Sequence, residues 1–220
     1  MTASIQYTLA KAEDDAASFQ GANLGGMAFA QNWLDLDAEW GPSSFDQRHQ
    51  ITASFQYTTG VGVAGGALVD GWRGALFKNW TLTGQVTTGS SLPLTPYYLS
   101  AVPGTGYTGA IRASLTGAST DAPDGYYLNS AAYTAPAPGA WGNAGRNSAR
   151  GPAQFGFNAG ITRTFPWGSR LNLDYRIDAT NVLNSVTYSG VNTLIGNPQF
   201  GLPNAVNEMR RIQTSLRMRW

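Results

Sequence analysis

The chain contains no cysteine, and that absence removes a disulfide framework, a thiolate metal site and a cysteine nucleophile together. Charge is nearly as scarce. Asp, Glu, Lys and Arg make up 12% of the 220 residues, about half the share usual in soluble domains. The formal net charge of +1 leaves no basic stripe to draw phosphates, so nucleic acid is not expected as a partner. No run approaches the ~18 consecutive apolar residues of a membrane helix, and the stretch after Met1 lacks the basic and apolar regions of a signal peptide. A single histidine, His49, and no serine in a nucleophile-elbow setting argue against hydrolytic chemistry. Neither an enzyme activity nor a cofactor is expected.

Aromatics, by contrast, reach 12% and glycine 27 residues, and the dominant pattern is alternation with a period of two. Ile51, Ala53, Phe55 and Tyr57 alternate with Gln50, Thr52, Ser54, Gln56 and Thr58. Leu171, Leu173, Tyr175, Ile177 and Ala179 alternate with Arg170, Asn172, Asp174, Arg176 and Asp178. The same holds around Ile5, Trp80 and Phe157, and again at the end of the chain, where Ile212, Leu216, Met218 and Trp220 oppose Arg211, Gln213, Ser215, Arg217 and Arg219, with Thr214 the weak point of the apolar face. Strands are therefore expected near 2–10, 46–58, 74–88, 154–165, 169–180 and 208–220, with no competing helical period. Such segments approach the ~9 to 11 residues with which a tilted strand crosses a bilayer, whereas soluble sandwich strands average about 5 or 6. A soluble sandwich shows the same alternation, so the connections have to discriminate.

Those connections alternate long and short: 11–45, 59–73, 95–152, a tight turn at 166–169, and 181–206. Membrane barrels have short periplasmic turns and long external loops in this alternation. With the last strand descending to the periplasm, the links 11–45, 95–152 and 181–206 all fall outside. Residues 95–152, rich in Ala, Gly, Pro, Ser, Thr and Tyr, read as an exposed loop rather than a second domain. The fold class is thus all-β, an antiparallel meander of long strands forming a partial segment of a transmembrane outer-membrane β-barrel. Residues 97–101 and 126–133 could instead supply two weak strands and close a small barrel of eight.

Few residues invite a chemical role. Asp46 and His49 have the types of a catalytic pair but read more simply as a polar rim cluster. Asp35, Asp37 and Glu39, like Glu13, Asp14 and Asp15, offer oxygen ligands for a hard cation, yet their spacing is not that of a calcium loop. Gly60 to Gly62 and Gly104 to Gly106 lack the strand-to-helix setting of a phosphate cradle. Late arginines dominate the charge, and Asp174 and Asp178 are placed to offset Arg211, Arg217 and Arg219 across a shared polar face.

Five ordered stretches carry a resemblance: residues 7–16 (YTLAKAEDDA), 41–49 (GPSSFDQRH), 142–152 (GNAGRNSARGP), 178–184 (DATNVLN) and 211–220 (RIQTSLRMRW). Together they resemble the C-terminal barrel portion of TonB-dependent outer-membrane receptors, specifically the Oar-like group with a carboxypeptidase-regulatory-like N-terminal domain. The resemblance implies location in the cell outer membrane and a barrel of about 22 strands around a plug. It further implies TonB-energised uptake of a bulky nutrient such as an iron chelate or oligosaccharide. Asp14, Asp15, Asp46, Arg48, His49, Arg146 and Arg150 would be rim residues of that family. Ile212, Leu216, Met218 and Trp220 would form the terminal signal read by the barrel-assembly machinery, with Trp where the family usually ends in Phe. Plug, TonB box and most strands are not in this sequence, so TonB would act through a missing N-terminal part, and the piece is not expected to transport alone. An open, curved sheet follows, because six strands cannot close so wide a barrel. The alternative is an outer-membrane adhesion or recognition barrel that transports nothing.

Overall fold

In the computed structural model, which describes residues 1–15, 30–62, 71–103, 105, 107–167 and 170–220, six long strands form one antiparallel sheet in chain order. They are β1 (Thr2–Leu9), β2 (His49–Thr58), β3 (Thr81–Gly89), β4 (Gln154–Trp167), β5 (Leu171–Thr180) and β6 (Arg211–Arg219). Each pairs only with its sequence neighbours, so β1 and β6 are the edges and the sheet stays open. The two segments that could have closed a barrel of eight do not join this wall. Tyr97–Val102 forms a hairpin with Tyr107–Arg112, and residues 126–133 hold bends, a 3-10 turn at Ser130–Ala132 and, at Tyr133, the start of a two-residue strand that pairs with Ser114–Leu115.

Register keeps the two faces of the wall distinct across all six strands. On one face Ser4 opposes Ser54, Ser54 opposes Gln85, Gln85 opposes Asn158, and Asp178 opposes Gln213. On the other, Ala53 opposes Val86, Val86 opposes Phe157, Ile161 opposes Ile177, and Tyr175 opposes Leu216. A slip of one residue at any pair would exchange these faces, so the period-two pattern excludes every odd shift of register. Thr214 lies on the apolar face opposite Ile177, as the alternation of the last strand requires. Phe55 lies across Gly84 of the neighbouring strand; a Cβ on Gly84 would meet its ring at 2.2 Å. A glycine there lets the aromatic ring cover the ladder where a side chain would displace it.

Two boundaries differ from the expected ones for identifiable reasons. Residues 74–77 belong not to a strand but to a short helix, α1 (Gly71–Phe77), and β3 begins only at Thr81. Its last turn is held from outside: the Trp80 indole donates to the Leu76 carbonyl at 2.9 Å and the Arg163 guanidinium to the same oxygen at 2.6 Å. At the other short turn, on the same end of the wall, β4 runs two residues further than alternation suggested, because Pro166 and Trp167 still pair with Asn172 and Leu171. The expected tight turn at 166–169 lies partly outside the described residues.

The long links at the other end of the wall are folded against one another, and the core lies there. Leu94, Ala113, Leu128, Ala132, Tyr133, Ala144, Ala149, Val191 and Phe200 form one buried cluster drawn from residues 90–153 and 181–210. The wall strands contribute nothing to it. A strand with solvent or lipid on each face has no interior to bury side chains in, so burial concentrates where links pack on links. Backbone bonds tie the links directly: Tyr97 N–H donates to Thr193 O, Tyr127 N–H to Gly201 O and Ala144 N–H to Ala113 O, each within 2.9 Å. Residues 95–152 are therefore more than an exposed loop. Their apolar residues are spaced to meet partners in other links and so follow no period.

Candidate functional site

Four of the rim residues singled out by sequence come together in two pairs at the junction of wall and cap. Arg146 reaches Asp14 as an ion pair and also donates through Nε to the Glu39 carbonyl at 2.6 Å. Arg150 pairs with Asp46 at 2.8 Å and also donates to the Asp46 carbonyl. Asp46 is buried and accepts the Ala12 amide at 2.9 Å. Burial alone would raise its pKa; the Ala12 amide and the Arg150 guanidinium outweigh burial and hold the carboxyl below its ordinary value. Thus the link 11–45 is fastened at two points to residues 146–150.

His49 and Asp46 do not form a pair. The His49 ring stacks on Tyr7, and its Nδ1 shares a hydrogen bond of 2.8 Å with the Tyr7 hydroxyl at the end of the β1–β2 ladder. Both side chains are exposed. Arg48 and Asp15 are exposed as well; the Arg48 carbonyl accepts the Ala10 amide. The terminal residues Ile212, Leu216, Met218 and Trp220 are exposed on β6 and just after it, the first three on the apolar face.

A deeper polar centre escaped sequence reading. Glu39 and Arg112 form an ion pair at 2.7 Å with both side chains at most 4% exposed. Gln31 binds both halves of the cap: its side chain donates to Gly142 O and accepts from the Arg112 amide, and its own amide donates to Glu39. Burial pushes the Arg112 guanidinium below its ordinary pKa, and Glu39 opposes that shift. Glu39 is therefore committed to an arginine rather than to a metal ion. Among the described residues no three acidic or histidine side chains gather closely enough to hold a metal ion. The only sequence signal for this centre was polarity at Gln31, Glu39 and Arg112 in segments without period, which does not announce burial.

The motif stretches have local tasks. Asn147 adopts a left-handed backbone (φ 54), with its side chain donating to Pro42 O at 2.7 Å while the Thr95 hydroxyl accepts its backbone amide and donates to its side-chain Oδ1. Asn181 and Asn184 are left-handed too, and their side chains receive the amides of Ser185 and Arg210. Asparagine tolerates that conformation while its amide side chain bonds nearby backbone. The residues of 142–152 and 178–184 thus fix where links leave and enter the wall.

The polar face of the wall encloses an open groove of about 590 Å³, lined by Ser4, Gln56, Gln85, Asn158, Arg176 and Asp178 among others. Charge on this face is partly neutralised within it. Arg219 pairs with Asp174 at 2.7 Å and Arg176 with Asp178 at 2.6 Å, while Arg211 and Arg217 have no ion pair among the described residues. Asp178 is thus engaged by its own strand rather than by β6. The arrangement is a polar, weakly cationic wall beneath a folded cap, able to bind and orient a polar solute by hydrogen bonds.

A family model described as an outer membrane beta barrel domain matches residues 1–213. No curated protein and no solved structure matches the chain.

Proposed function

We propose, from the premise that this chain belongs to the outer membrane beta barrel domain family and resides in the outer membrane, that it forms wall and external cap of an uptake receptor for a bulky polar solute. The apolar face of the six strands meets lipid, and the polar groove faces the lumen. The observation that carries this reading is the folded cap over a polar wall. Links with their own buried core and the Glu39–Arg112 pair present a preformed surface at the external mouth. Transport would be energised by TonB acting through a segment outside this chain, and the cargo would be an iron chelate or an oligosaccharide. No catalytic role is assigned to any residue.

An adhesion or recognition barrel is the second reading, favoured by the same cap, since a rigid external surface suffices for binding without passage. One experiment separates them: growth of the source bacterium on a ferric chelate or an oligosaccharide as sole iron or carbon source, with the gene intact or deleted and with TonB present or absent. Uptake predicts that deletion of the gene and loss of TonB abolish the same growth. Retained growth in both strains, with loss of surface binding only in the gene deletion, would replace uptake by adhesion.

A further inference from the structure

Arg163 is the only full charge on the apolar face of the six strands; it sits in β4 opposite Tyr175, four residues before Trp167. Its guanidinium lies over the Phe165 ring at 4.6 Å and the Trp80 ring at 5.4 Å, and donates to the carbonyls of Ala75 and Leu76. An arginine on a lipid face costs little only near a rim, about 0–1 kcal/mol against about 2–4 at the midplane. Here it is both near the rim and bound to the carbonyl end of α1, where a helix carries partial negative charge. The bond fixes α1 to the apolar side of the wall rather than beneath it.

The outward surface of α1 is apolar and aromatic. Trp72 and Leu76, one turn apart, and the adjoining Phe77 are 72%, 54% and 57% exposed, and Trp167 at the same end of the wall is 72% exposed. Arg73 stacks on Trp72, Lys78 follows the helix, and residues 71–80 contain no acid. Seven residues, about 10 Å of helix, are too few to stand alone in water. Apolar and aromatic groups beside two cations, continuous with the apolar face of a membrane wall, match one surface: the boundary between phospholipid headgroups and acyl chains.

We propose that α1 is an interfacial foot, seated in the headgroup layer of the phospholipid leaflet at the short-turn end of the wall, with Trp72, Leu76 and Phe77 toward the acyl chains and Arg73 and Lys78 toward phosphate. Arg163 is the positioning residue that clamps the foot to the wall. The proposal rests on membrane insertion of the wall and not on what the receptor binds.

Because the chain has no cysteine, a single introduced cysteine can carry a nitroxide probe with no competing native thiol. The purified full chain, reconstituted in vesicles of phosphatidylethanolamine and phosphatidylglycerol, would carry a probe at Leu76→Cys, at Leu216→Cys on the apolar face, or at Leu99→Cys in the cap. The ratio of collision with oxygen to collision with a water-soluble nickel complex reports depth. The Leu76 probe is expected between the Leu216 and Leu99 values, and nearer the Leu99 value after Arg163→Ala or Trp72→Ser with the Leu216 probe unmoved. A Leu76 probe as exposed to nickel as the Leu99 probe, while the Leu216 probe is in lipid, overturns the foot. A Leu76 probe unmoved by Arg163→Ala overturns the clamp. If the Leu216 probe is itself in water, insertion fails and the proposal falls with it, whatever the growth experiment says of uptake.

Discussion

Asp46 and Arg150, 104 residues apart in the chain, meet at 2.8 Å where the second wall strand leaves the cap. The carboxylate is buried while the arginine is 44% exposed, so the pair acts as a clasp at the cap's edge with Asp46 as its fixed half. Replacing Asp46 by Ala leaves the Ala12 amide and the Arg150 guanidinium without this acceptor, at a cost of about 1–3 kcal/mol. Hydrogen exchange at the Ala12 amide should accelerate in the variant, with wall amides such as that of Phe157 unaffected. Equal protection of Ala12 in both proteins would deny the clasp.

The same carboxyl predicts an acid response. Its folded pKa is depressed below the unfolded value of about 3.9. A depressed carboxyl contributes stability that is present above the unfolded value and lost as pH falls through the folded one. Ala12 protection should therefore hold from pH 7 down to about 4 and decline below it. In the Asp46→Asn variant that decline should be smaller.

Glu39 and Arg112 make a stronger prediction because both are buried. Removing one partner strands a charge, at about 3–5 kcal/mol, whereas replacing both by apolar residues of similar size costs far less. Glu39→Leu should expose the link 95–152 to protease in intact cells, and Glu39→Leu with Arg112→Met should restore much of the resistance. A double variant as sensitive as the single one would show that the pair's role is not electrostatic.

On the wall, Gly84→Val places a side chain in the Phe55 ring and should destabilise by about 1–3 kcal/mol through overpacking. Phe55→Ala removes the obstacle and should recover part of the loss. Protease resistance of the refolded protein in detergent gives the comparison; non-recovery would place the fault in the ladder rather than in the ring.

For the last strand, deleting Trp220 from the protein should lower its outer-membrane level several-fold at unchanged synthesis, measured by immunoblot of membrane fractions. The expectation rests on an exposed apolar row at Ile212, Leu216 and Met218 followed by Trp220. Unchanged membrane levels would remove any part for Trp220 in assembly.

Most of the wall was legible residue by residue because its rule is local. Each side chain of Leu171 to Asp178 points to the face opposite its neighbour's, so composition alone tells lipid side from lumen side. The exceptions are informative. Arg163 breaks the apolar row, and nothing nearby in sequence explains it, since its partners are carbonyls at 75 and 76, brought across by the β3–β4 pairing. For the same reason residues 74–77 of α1 could not be separated from a strand, as a seven-residue helix stabilised from outside has too few turns to show a period.

By itself, then, the sequence determined the class of fold, the six long strands, the face each of their side chains takes and the end at which the long links gather, because alternation and link length are properties of short segments. Only the tertiary structure decided that those links form a cap with a core, that Asp14 and Asp46 are taken by Arg146 and Arg150, that His49 belongs to Tyr7, and that Glu39 meets Arg112 out of water. These are contacts between residues tens to more than a hundred positions apart. Which of several chemically equivalent charges pair is set by where the wall delivers the ends of its links, and no local pattern encodes that.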